Sequence, residues 1–557
     1  MARMTTPERP DMVGWYDPAQ LVRTGLQTVL TEVFATRADF RLLLALGEAQ
    51  EPRSFADREA FWLDYVSDTG DGWRPTTAVL HALARPSIEV AGETLPRGDL
   101  LLMGGDQVYP AGSVALYESR LIAPLRGVSP AEPPTPRPLL LAIPGNHDWY
   151  DGLVGFVNTF AQKGTLGMWA TFQTRSYHCL RLPHRHWLVA ADVQLQCDLD
   201  VPQRRWFESA LKDLREGDHV IVALAEPTWV FRQQYAKDHG PQLRSLVRYI
   251  TEEKRARVVL WLAGDLHHYR RMERTDEGAD RGAQYVTSGG GGAFLHPTHT
   301  PSLRRLERGR TGETRRFRVA TEYPSRRVSL ALAHRNLAFP LLNLRFGFAT
   351  AALYTLLSWL LPQPDLGAID QGVGAALRRG LVQVAEQPSA ISLVVLLLVA
   401  VVYFTDSNRP LYRVGAGLVH GVAHLMAALG ATAAGLGCAR ALGVQHDVVA
   451  RRAVMIAASA VLGYGLGGAI MGLYLFVSVR VFHRHGNEAF SSLREEGWKN
   501  FLRLRVDASG ISLWALGLDR MPERWSDGPW PLPQDTDPAA TPRVIDTAHI
   551  AAPAADP

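Results

Sequence analysis

One stretch of this sequence, residues 258–269, reads VVLWLAGDLHHY: an apolar run that ends abruptly in an acid and two imidazoles. Short apolar runs bounded by glycine and proline are typical of strands buried on both faces. Three further runs end in the same way: LLLMGGDQVY at 100–109, LLLAIPGNHD at 139–148 and, more weakly, FWLDYVSDTGD at 61–71. The pattern predicts a sheet of buried strands whose ends carry polar groups.

In open α/β sheets, ligands lie at the carboxyl ends of the strands. Four such ends would bring a set of oxygen and imidazole donors into one crevice, which differs from an apolar pocket. The donors expected there are Asp68, Asp106, Tyr109, Asn146, His147, Asp265 and His267.

Length and composition limit the classes of protein to consider. At 557 residues the chain is long enough for two to four domains. Its 59 Lys and Arg against 55 Asp and Glu give a net charge of +4, which makes no case for a nucleic-acid partner. The cysteines Cys179, Cys197 and Cys438 are far apart, so we expect a reducing compartment and no disulfide framework. The N-terminal residues contain no apolar segment of the kind found in signal peptides, so we expect no signal peptide.

The region between about 337 and 480 is nearly free of charge over long stretches. A membrane helix needs about 20 largely apolar residues, and a buried helical core is the alternative interpretation. Several such stretches in a row, rich in Gly and Ala, favour membrane spanning. The four predicted spans are 338–361, 388–404, 414–437 and 453–479.

Arginines in the flanks of these stretches predict the orientation. Those before the first, between the second and third, and after the fourth would face the cytoplasm: Arg326, Arg327, Arg335, Arg409, Arg413, Arg480 and Arg484. The opposite loops also carry arginine, so the bias is modest. We therefore predict a multi-pass protein of the cell membrane, with its catalytic domain and C-terminus in the cytoplasm.

The motifs at the strand ends resemble those of the calcineurin-like metallophosphoesterases, and more closely the purple-acid-phosphatase pattern DxG, GDxxY, GNH(D/E), VxxH, GHxH. Asp68-Thr69-Gly70 matches the first, 105–109 the second and 145–148 the third. Their order and strand contexts match as well. The resemblance covers roughly residues 55–300 and leaves the apolar region unexplained.

The resemblance implies a role for each matching residue. Asp68, Asp106, Tyr109 and His267 would bind one metal, and Asp106 would bridge to a second metal that Asn146 also binds. His147 would stabilise or protonate the leaving oxygen, with Asp148 orienting it, and a metal-bound hydroxide would be the nucleophile. The implied cofactors are two divalent or mixed-valence ions, with Mn, Fe, Mg and Ca all left open.

Two positions depart from the family pattern, and both concern the second metal. Ala225 stands where the fourth motif would have histidine, and Glu226 is the nearest donor. Asp265 replaces the first histidine of the fifth motif. We expect Asp265 to bind the second metal, which would then have only oxygen ligands. Such a site suits Mn²⁺, Mg²⁺ or Ca²⁺ better than Zn²⁺.

Each of these residues also has a purely structural interpretation. An Asp at a strand end is often a helix N-cap, Asp71 precedes a glycine in a turn signal, and Tyr109 could simply pack beneath the sheet. The run TSGGGGAFLHPTH at 287–299 is typical of a loop whose glycines let backbone approach a ligand. Substrate-contacting or supporting residues are expected among Glu226, His268, His296 and His299.

His420 and His424 lie in the third apolar stretch at i, i+4 and therefore share a helix face. Ionisable residues inside a bilayer are functional candidates. These two could bind a metal, a haem or a lipid phosphate, or form hydrogen bonds between helices.

The predicted fold is an α/β metallophosphoesterase-type sandwich followed by an all-α transmembrane bundle of about four helices and a small β-containing C-terminal segment. A hairpin is predicted over 500–518. The expected divisions are a helical leader (1–54), the metallophosphoesterase domain (55–300), a basic juxtamembrane linker (301–336), the four-helix region (337–480), a small cytoplasmic segment (481–526) and a disordered tail (527–557).

The leading functional hypothesis is a membrane-anchored, metal-dependent phosphoesterase that hydrolyses a phosphate mono- or diester. Its substrate would be a phosphorylated lipid or a small molecule such as a nucleotide. The alternative is a catalytically weakened phosphoesterase-like domain that serves as a ligand-binding membrane sensor. A transporter ranks last, because helices with so few charges offer a poor pathway. The sequence leaves the oligomeric state open.

Overall fold

The computed structural model describes residues 9–25, 52–90, 92–193, 198–235, 240–275, 282–299, 306–308, 314–362, 371–405, 407 and 409–553. These residues form two compact units. The first combines 25–326 with 494–557 and the N-terminal 1–13, whereas the second, helical unit consists of 327–493 with 14–24. The chain therefore enters the helical unit twice, at 14–24 and at 327–493, and returns to the first unit each time.

Nineteen strands are present in the described part of the first unit, and in chain order they are β1 (Arg53–Ser54), β2 (Phe61–Val66), β3 (Ser87–Val90), β4 (Glu93–Pro96), β5 (Leu100–Met103), β6 (Leu139–Ala142), β7 (Gly164–Leu166), β8 (Trp169–Thr171), β9 (His178–Leu182), β10 (His186–Ala191), β11 (His219–Leu224), β12 (Arg257–Ala263), β13 (Tyr269–Arg274), β14 (Gln284–Ser288), β15 (Leu306–Arg308), β16 (Thr314–Tyr323), β17 (Lys499–Asp507), β18 (Gly510–Leu518) and β19 (Arg543–Ala551). The four runs of the sequence analysis are β2, β5, β6 and β12.

Two large sheets make up the unit. One has nine strands in the order β1-β9-β10-β11-β12-β14-β13-β16-β15, and the other has eight in the order β19-β18-β17-β2-β5-β6-β8-β7. A hairpin of β3 and β4 stands apart. β2, β5 and β6 pair in parallel in one sheet, as do β11 and β12 in the other.

The two sheets face each other across a core built by alternation along each strand. Leu100 and Leu102 of β5 point into it, as do Leu260 and Leu262 of β12. The intervening residues point outward and are covered by helices, so each central strand is buried on both faces. The continuous apolar runs of the sequence follow from this double burial, and the α/β sandwich is confirmed.

The helices that cover the sheets are short, and in chain order they are α1 (Trp73–Ala84), α2 (Val114–Tyr117), α3 (Ala123–Gly127), α4 (Asn146–Trp149), α5 (Val154–Phe160), α6 (Val201–Ala210), α7 (Thr228–Tyr235) and α8 (Pro241–Arg248). Single π turns join α2 to α3 and follow α8. α1, α3 and α5 contribute to the outer core of the eight-stranded sheet, and α6 and α8 to that of the nine-stranded sheet.

The C-terminal segment corrects two expectations. The predicted hairpin is β17 and β18, but it is part of the sandwich, because β17 pairs antiparallel with β2. The tail expected to be disordered contains β19, which forms the edge of the same sheet by pairing with β18. The residues of β19 alternate in the way that is typical of a strand. The Pro- and Asp-rich residues beside it led the sequence analysis to predict disorder.

The segment 301–336 was expected to be a basic linker, and this is also corrected. Residues 314–323 form strand β16, which pairs with β13 through Tyr269 and Tyr323 at one end. Arg318 pairs with Glu273 on the neighbouring strand. Part of the predicted basic linker therefore lies in a strand of the sandwich. Of the leader, the structure describes 9–25, where 18–25 are helical; the rest of the predicted leader helix lies outside the described residues.

The helical unit contains α9 (Arg326–Ala333), α10 (Phe339–Leu342), α11 (Leu344–Leu360), α12 (Val373–Glu386), α13 (Pro388–Phe404), α14 (Pro410–Ala441), α15 (Val448–Val477) and α16 (Gly486–Ser491). α14 and the continuous helix 448–482 are each long and apolar enough to cross a membrane. Two bent pairs, with angles of 61° at residue 343 and 98° at residue 387, raise the number of candidate spans to four if each pair is one span. The helical region therefore holds two to four candidate spans.

Candidate active site

The strand ends carry the candidate residues to one edge of the sandwich. β2, β5 and β6 are parallel neighbours, so the loops that follow them leave in the same direction. Asp68 and Asp106 follow β2 and β5, and Asp265 follows β12 of the other sheet. All three residues have left-handed backbone conformations, with φ of 59°, 51° and 65°. Non-glycine residues rarely adopt this conformation, and where they do the strain is concentrated at functional sites.

Three side chains converge on the Tyr109 hydroxyl. It lies 3.0 Å from Asp68 Oδ1, 3.4 Å from Asp106 Oδ2 and 3.0 Å from His267 Nε2. His267 Nε2 is itself 3.5 Å from Asp68 Oδ1. All four side chains are buried. We call Asp68, Asp106, Tyr109 and His267 the four-donor cluster; it is the set that the sequence assigned to one metal.

His267 has the arrangement expected of a metal ligand. Its Nδ1 lies 2.6 Å from the Phe294 carbonyl oxygen, so this nitrogen carries the proton and donates it. Nε2 is then unprotonated and faces the other donors. Burial lowers the pKa of His267 to about 3, so the imidazole is neutral at ordinary pH. Metal-binding histidines usually donate their other ring N–H to a carbonyl or carboxylate in this way.

Gly264 allows Asp265 to approach the cluster. The Asp265 backbone N–H donates to both carboxylate oxygens of Asp68, at 3.1 and 2.9 Å. A Cβ on Gly264 would overlap the Ser67 hydroxyl and come within 2.5 Å of Asp68 Oδ2, so only glycine fits. The Asp265 side chain is partly exposed at the edge of the site.

Asn146 lies on the other side of Asp106. Gly145 is so close to Asp106 that a Cβ would overlap the carboxylate, and this contact brings the following amide to the site. Asn146 Nδ2 donates to the Tyr150 hydroxyl at 3.0 Å, whereas its buried Oδ1 has no hydrogen-bond partner among the described residues. Glu226 is buried and close enough for its charge to raise the pKa of Asp106. Tyr150 was not singled out in the sequence, although it directly follows the GNHDW run.

His147 and Asp148 are adjacent in sequence but have separate environments. The His147 backbone N–H donates to Asp106 Oδ1 at 2.9 Å, and Nδ1 lies 2.8 Å from the Pro110 carbonyl. The Asp148 carboxylate accepts hydrogen bonds from the backbone N–H groups of Gln107 and Gly145 and from the Tyr117 hydroxyl. The expectation that Asp148 orients His147 is therefore wrong: Pro110 occupies that place, and Asp148 holds two loops together.

Electrostatics at the site follow from burial. Desolvation raises the pKa of Asp68, and it raises that of Asp106 further because the Asp68 charge is close by. Burial lowers the pKa of His147 to about 4. Carboxylates packed together without a compensating charge resist ionisation, and a bound cation would remove that resistance.

The glycine run, residues 287–299, packs against the backbone of the site residues. Gly291 N–H donates to the Ser67 carbonyl and Ala293 N–H to the Asp68 carbonyl, both at 2.9 Å. Asn500 holds the same run from β17: its backbone N–H donates to the Gly290 carbonyl at 3.0 Å, and its Oδ1 accepts from the Ser288 hydroxyl at 2.8 Å. The glycines thus allow close packing against site residues. Sequence reasoning missed Asn500, because it lies more than 200 residues from the run it contacts.

Three of the predicted supporting residues are histidines close to this run. The His296 ring stacks on His267 with centroids 4.0 Å apart and planes inclined by 24°, so it flanks the four-donor cluster. His268 and His299 are buried, and burial lowers the pKa of His268. Of the three, His296 has the clearest geometric relation to the cluster.

The donors fit a pair of cations by their chemistry. Among the described residues, no three His, Cys, Asp or Glu side chains form a metal-binding group by themselves. The Tyr109 phenol and the Asn146 amide oxygen, which lie outside those four residue types, would add two further donors. The unpartnered Asn146 Oδ1 and the tautomer of His267 both match what a metal ligand requires.

Comparison with known proteins agrees with this geometry. The family model described as calcineurin-like phosphoesterase matches residues 62–269. No curated protein matches the chain.

Three solved structures show low similarity. GAP50, the anchor in the inner membrane complex of Plasmodium, is 10% identical over 49% of this chain and 94% of that chain, with a TM-score of 0.30. The purple acid phosphatase PPD1 from yellow lupin (Lupinus luteus) seeds is 15% identical over 44% and 46%, with a TM-score of 0.28. PhoD is 13% identical over 44% and 60%, with a TM-score of 0.29. The chain therefore contains a calcineurin-like phosphoesterase domain, whose family model matches residues 62–269.

Proposed function

We propose that this protein is a metal-dependent phosphoesterase associated with a membrane, which hydrolyses a phosphate mono- or diester. The convergence of Asp68, Asp106 and His267 on the Tyr109 hydroxyl within 3.0–3.4 Å is the observation that carries the proposal. A domain that only bound a ligand would have no need of a leaving-group acid such as His147.

The four-donor cluster would hold one cation, and Asp106, Asn146 and Asp265 a second, with Glu226 as a further ligand. When bound, the two cations would supply an activated water and neutralise the charge that develops on the phosphoryl group. The second site would contain only oxygen donors, which favours Mn²⁺, Mg²⁺ or Ca²⁺ over Zn²⁺. Iron at the first site is compatible with its phenol, imidazole and carboxylate donors.

His147 would assist the leaving group. Its Nδ1 proton is held by Pro110, so Nε2 is the atom that can carry a proton to an oxygen of the substrate. Because burial lowers its pKa to about 4, the free imidazole is neutral at pH 7. An anionic phosphate beside the ring favours the protonated form, so we expect substrate binding to raise this pKa and the acid function to be strongest at acidic pH.

The substrate would be a phosphorylated small molecule or a phospholipid. The stacked pair of His267 and His296 places a second imidazole beside the cluster, where it could contact phosphate oxygens. The apolar helices of the chain favour a lipid, because they would keep the domain at a membrane surface.

The order of the segments supports an even number of membrane crossings. β16 ends at Tyr323 before the helical unit, and β17 begins at Lys499 after it. Both strands belong to the same sandwich, in which β16 pairs with β13 and β17 with β2. A folded domain lies on one side of a membrane, so the helices between these strands would cross twice or four times. The arginines of the flanks favour the cytoplasmic side.

Reporter fusions at residues 330 and 557 test this topology. Both should report the cytoplasm, and opposite signals would contradict an even number of crossings. The activity itself is tested by hydrolysis of p-nitrophenyl phosphate and bis-p-nitrophenyl phosphate with Mn²⁺. Activity lost in Asp106→Asn and in His147→Ala supports the enzyme, whereas ligand binding without hydrolysis would support the sensor.

A further inference from the structure

Tyr150 lies beside the residues assigned to the second cation. It directly follows the short helix α4 and stands four positions after Asn146, so the two side chains share one helix face. Asn146 Nδ2 donates to the Tyr150 hydroxyl oxygen at 3.0 Å. The Tyr150 ring also contacts the ring of His147 edge-on, with centroids 5.0 Å apart. Tyr150 therefore touches both a candidate metal ligand and the candidate leaving-group acid.

The Tyr150 phenol is also close to two carboxylates of the site. Burial raises the pKa of Tyr150, and the nearby charges of Asp106 and Asp265 add to this shift. The side chain is nevertheless partly exposed, in contrast to the fully buried four-donor cluster. Tyr150 is thus near the carboxylates that would hold the second cation and accessible to a molecule that enters the site.

Counting protons shows how the Tyr150 hydroxyl can act. A phenol has one proton to donate and lone pairs that accept. Because Tyr150 accepts from the Asn146 amide, its own proton is left for a different partner, and no residue in the described part of the chain accepts it. If the amide were turned, Nδ2 would take the place of the unpartnered Oδ1, and an N–H group cannot bind a cation. The amide orientation that suits a metal therefore leaves the Tyr150 proton available to a ligand.

We propose that Tyr150 binds the substrate by donating a hydrogen bond from its hydroxyl to a phosphate oxygen. This inference rests on the proposed function and adds a substrate-binding residue that lies outside the family motifs. Phosphate oxygens carry negative charge, so the bond is charge-assisted and stronger than one between neutral groups. Since the same hydroxyl oxygen accepts from Asn146, Tyr150 would link a ligand of the second cation to the bound phosphate.

The test uses the purified full chain in detergent, with inorganic phosphate as the probe. Binding of radiolabelled phosphate is measured by equilibrium dialysis at saturating Mn²⁺, so that a change in metal affinity does not enter the result. Tyr150→Phe keeps the ring beside His147 and removes only the hydroxyl. We expect this variant to bind phosphate about tenfold more weakly than the unaltered protein, as the loss of one charge-assisted hydrogen bond predicts.

A second dialysis, with Mn²⁺ alone, separates substrate binding from a positioning role. Tyr150→Phe removes the partner of the Asn146 amide, so Mn²⁺ should bind more weakly, and added Mn²⁺ should compensate. If phosphate then binds to the variant as tightly as to the unaltered protein, Tyr150 only positions Asn146 and the proposal is overturned. Weaker phosphate binding at saturating Mn²⁺ supports the contact, whatever the change in metal affinity.

Tyr249→Phe is the matched control. The Tyr249 hydroxyl also makes one hydrogen bond, to the Glu208 carbonyl at 3.1 Å, in the helical layer over the nine-stranded sheet. This variant should bind phosphate as tightly as the unaltered protein. An equal loss in Tyr150→Phe and Tyr249→Phe would mean a general effect of losing a hydroxyl and would overturn the proposal, as would a failure of the unaltered protein to bind phosphate.

Hydrolysis enters neither dialysis, so the two proposals can fail separately. Metal-dependent hydrolysis together with phosphate binding that Tyr150→Phe leaves unchanged would overturn the role of Tyr150 and keep the phosphoesterase. Phosphate binding that depends on Tyr150, without hydrolysis of p-nitrophenyl phosphate or bis-p-nitrophenyl phosphate, would keep the role of Tyr150 and support the sensor instead.

Discussion

The Arg503 guanidinium and the Asp64 carboxylate form a buried bidentate ion pair, with Nε to Oδ1 at 2.7 Å and Nη2 to Oδ2 at 3.0 Å. Asp64 lies on β2, just before the first motif, and Arg503 lies on β17, beyond the helical unit. Arg503 also donates to the Leu95 carbonyl, and Asp64 accepts from Gly98 N–H. The polar groups of the pair are thus satisfied, and the pair fastens the C-terminal segment to the strand that leads to Asp68.

Arg503→Met should destabilise the first unit by about 3–5 kcal/mol, because it leaves the Asp64 carboxylate buried without its partner. Arg505→Met is the matched control: it is two residues along the same strand, its side chain is exposed, and its contacts are a surface ion pair with Asp507 and a cation–π contact with Trp62. The control should cost less than about 1 kcal/mol. Thermal unfolding measures both. Equal losses would mean that β17 contributes packing but that the ion pair does not hold the segment.

Asn500→Ala should weaken metal binding without unfolding the protein. The change removes the hydrogen bond from Ser288 and loosens the glycine run that holds the Asp68 backbone. Supporting groups of this kind change metal affinity by about 10–100-fold. The measurement is turnover as a function of Mn²⁺ concentration, in which the midpoint should rise while excess metal restores much of the rate. Ser288→Ala, which removes the same bond from the other side, should behave alike; an unchanged midpoint in both would assign Asn500 to packing alone.

Asp265→Asn should lower metal content from two ions per chain toward one and reduce turnover. Asparagine is chosen because it tolerates the left-handed backbone of Asp265, where alanine would add strain. Asp265→His should shift the preferred activator toward Zn²⁺, since it restores a nitrogen ligand. Metal analysis after desalting decides whether Asp265 binds the second metal or only shapes its turn. Full metal content and full activity in Asp265→Asn would mean that Asp265 only shapes its turn.

The metal-free protein should lose stability as pH rises from 6.5 through 7. Burial raises the pKa values of Asp68 and Asp106 in the folded state, so above the ordinary carboxyl pKa the folded protein keeps protons that the unfolded chain has lost, and stability falls with rising pH until the folded carboxyls ionise as well. Buried His147 and His267 act in the opposite sense, but only below about pH 6.5. Lys499, whose pKa burial lowers to about 8, acts above this window.

Thermal unfolding after chelation, compared with unfolding in excess Mn²⁺, measures this effect. Metal should remove the decline, because it stabilises the ionised carboxylates. The double variant Asp68→Asn, Asp106→Asn should reduce it as well, without any metal, and the part that remains would come from other buried carboxyls with raised pKa values, such as Asp148 and Asp71. A decline of the same size in all three samples would place its origin outside the site.

The part of the site that lies at strand ends could be predicted from the sequence. Residues such as Asp68, Asp106 and Asp265 directly follow apolar runs, and both the run and the polar group are local features. The partners of His147 and Asp148 could not be predicted, because Pro110, Tyr117 and Gln107 reach them through the folding of separate loops. The sequence pattern predicted that Asp148 contacts the neighbouring His147, but in the structure each residue has a different partner.

The α/β sandwich was predicted from the sequence, but the addition of the C-terminal strands to one of its sheets was not. β17, β18 and β19 join a sheet whose other strands lie before the helical unit, and nothing in the hairpin pattern at 500–518 indicates which strand it pairs with. β19 follows a Pro-rich stretch that is typical of disorder. Register between distant strands depends on side-chain packing across the sheet, as between Arg503 and Asp64, and such pairs are not visible in local periodicity.

The central claim, that the four-donor cluster is a catalytic metal centre, is tested most directly by the metal dependence of phosphate-ester hydrolysis in one purified preparation. The rate on p-nitrophenyl phosphate and bis-p-nitrophenyl phosphate is measured before chelation, after it, and after Mn²⁺ is returned, with Asp106→Asn prepared in parallel. We predict that hydrolysis is lost on chelation, restored by Mn²⁺, and absent from Asp106→Asn throughout. Hydrolysis that survives chelation, or that Asp106→Asn retains in full, would contradict the account.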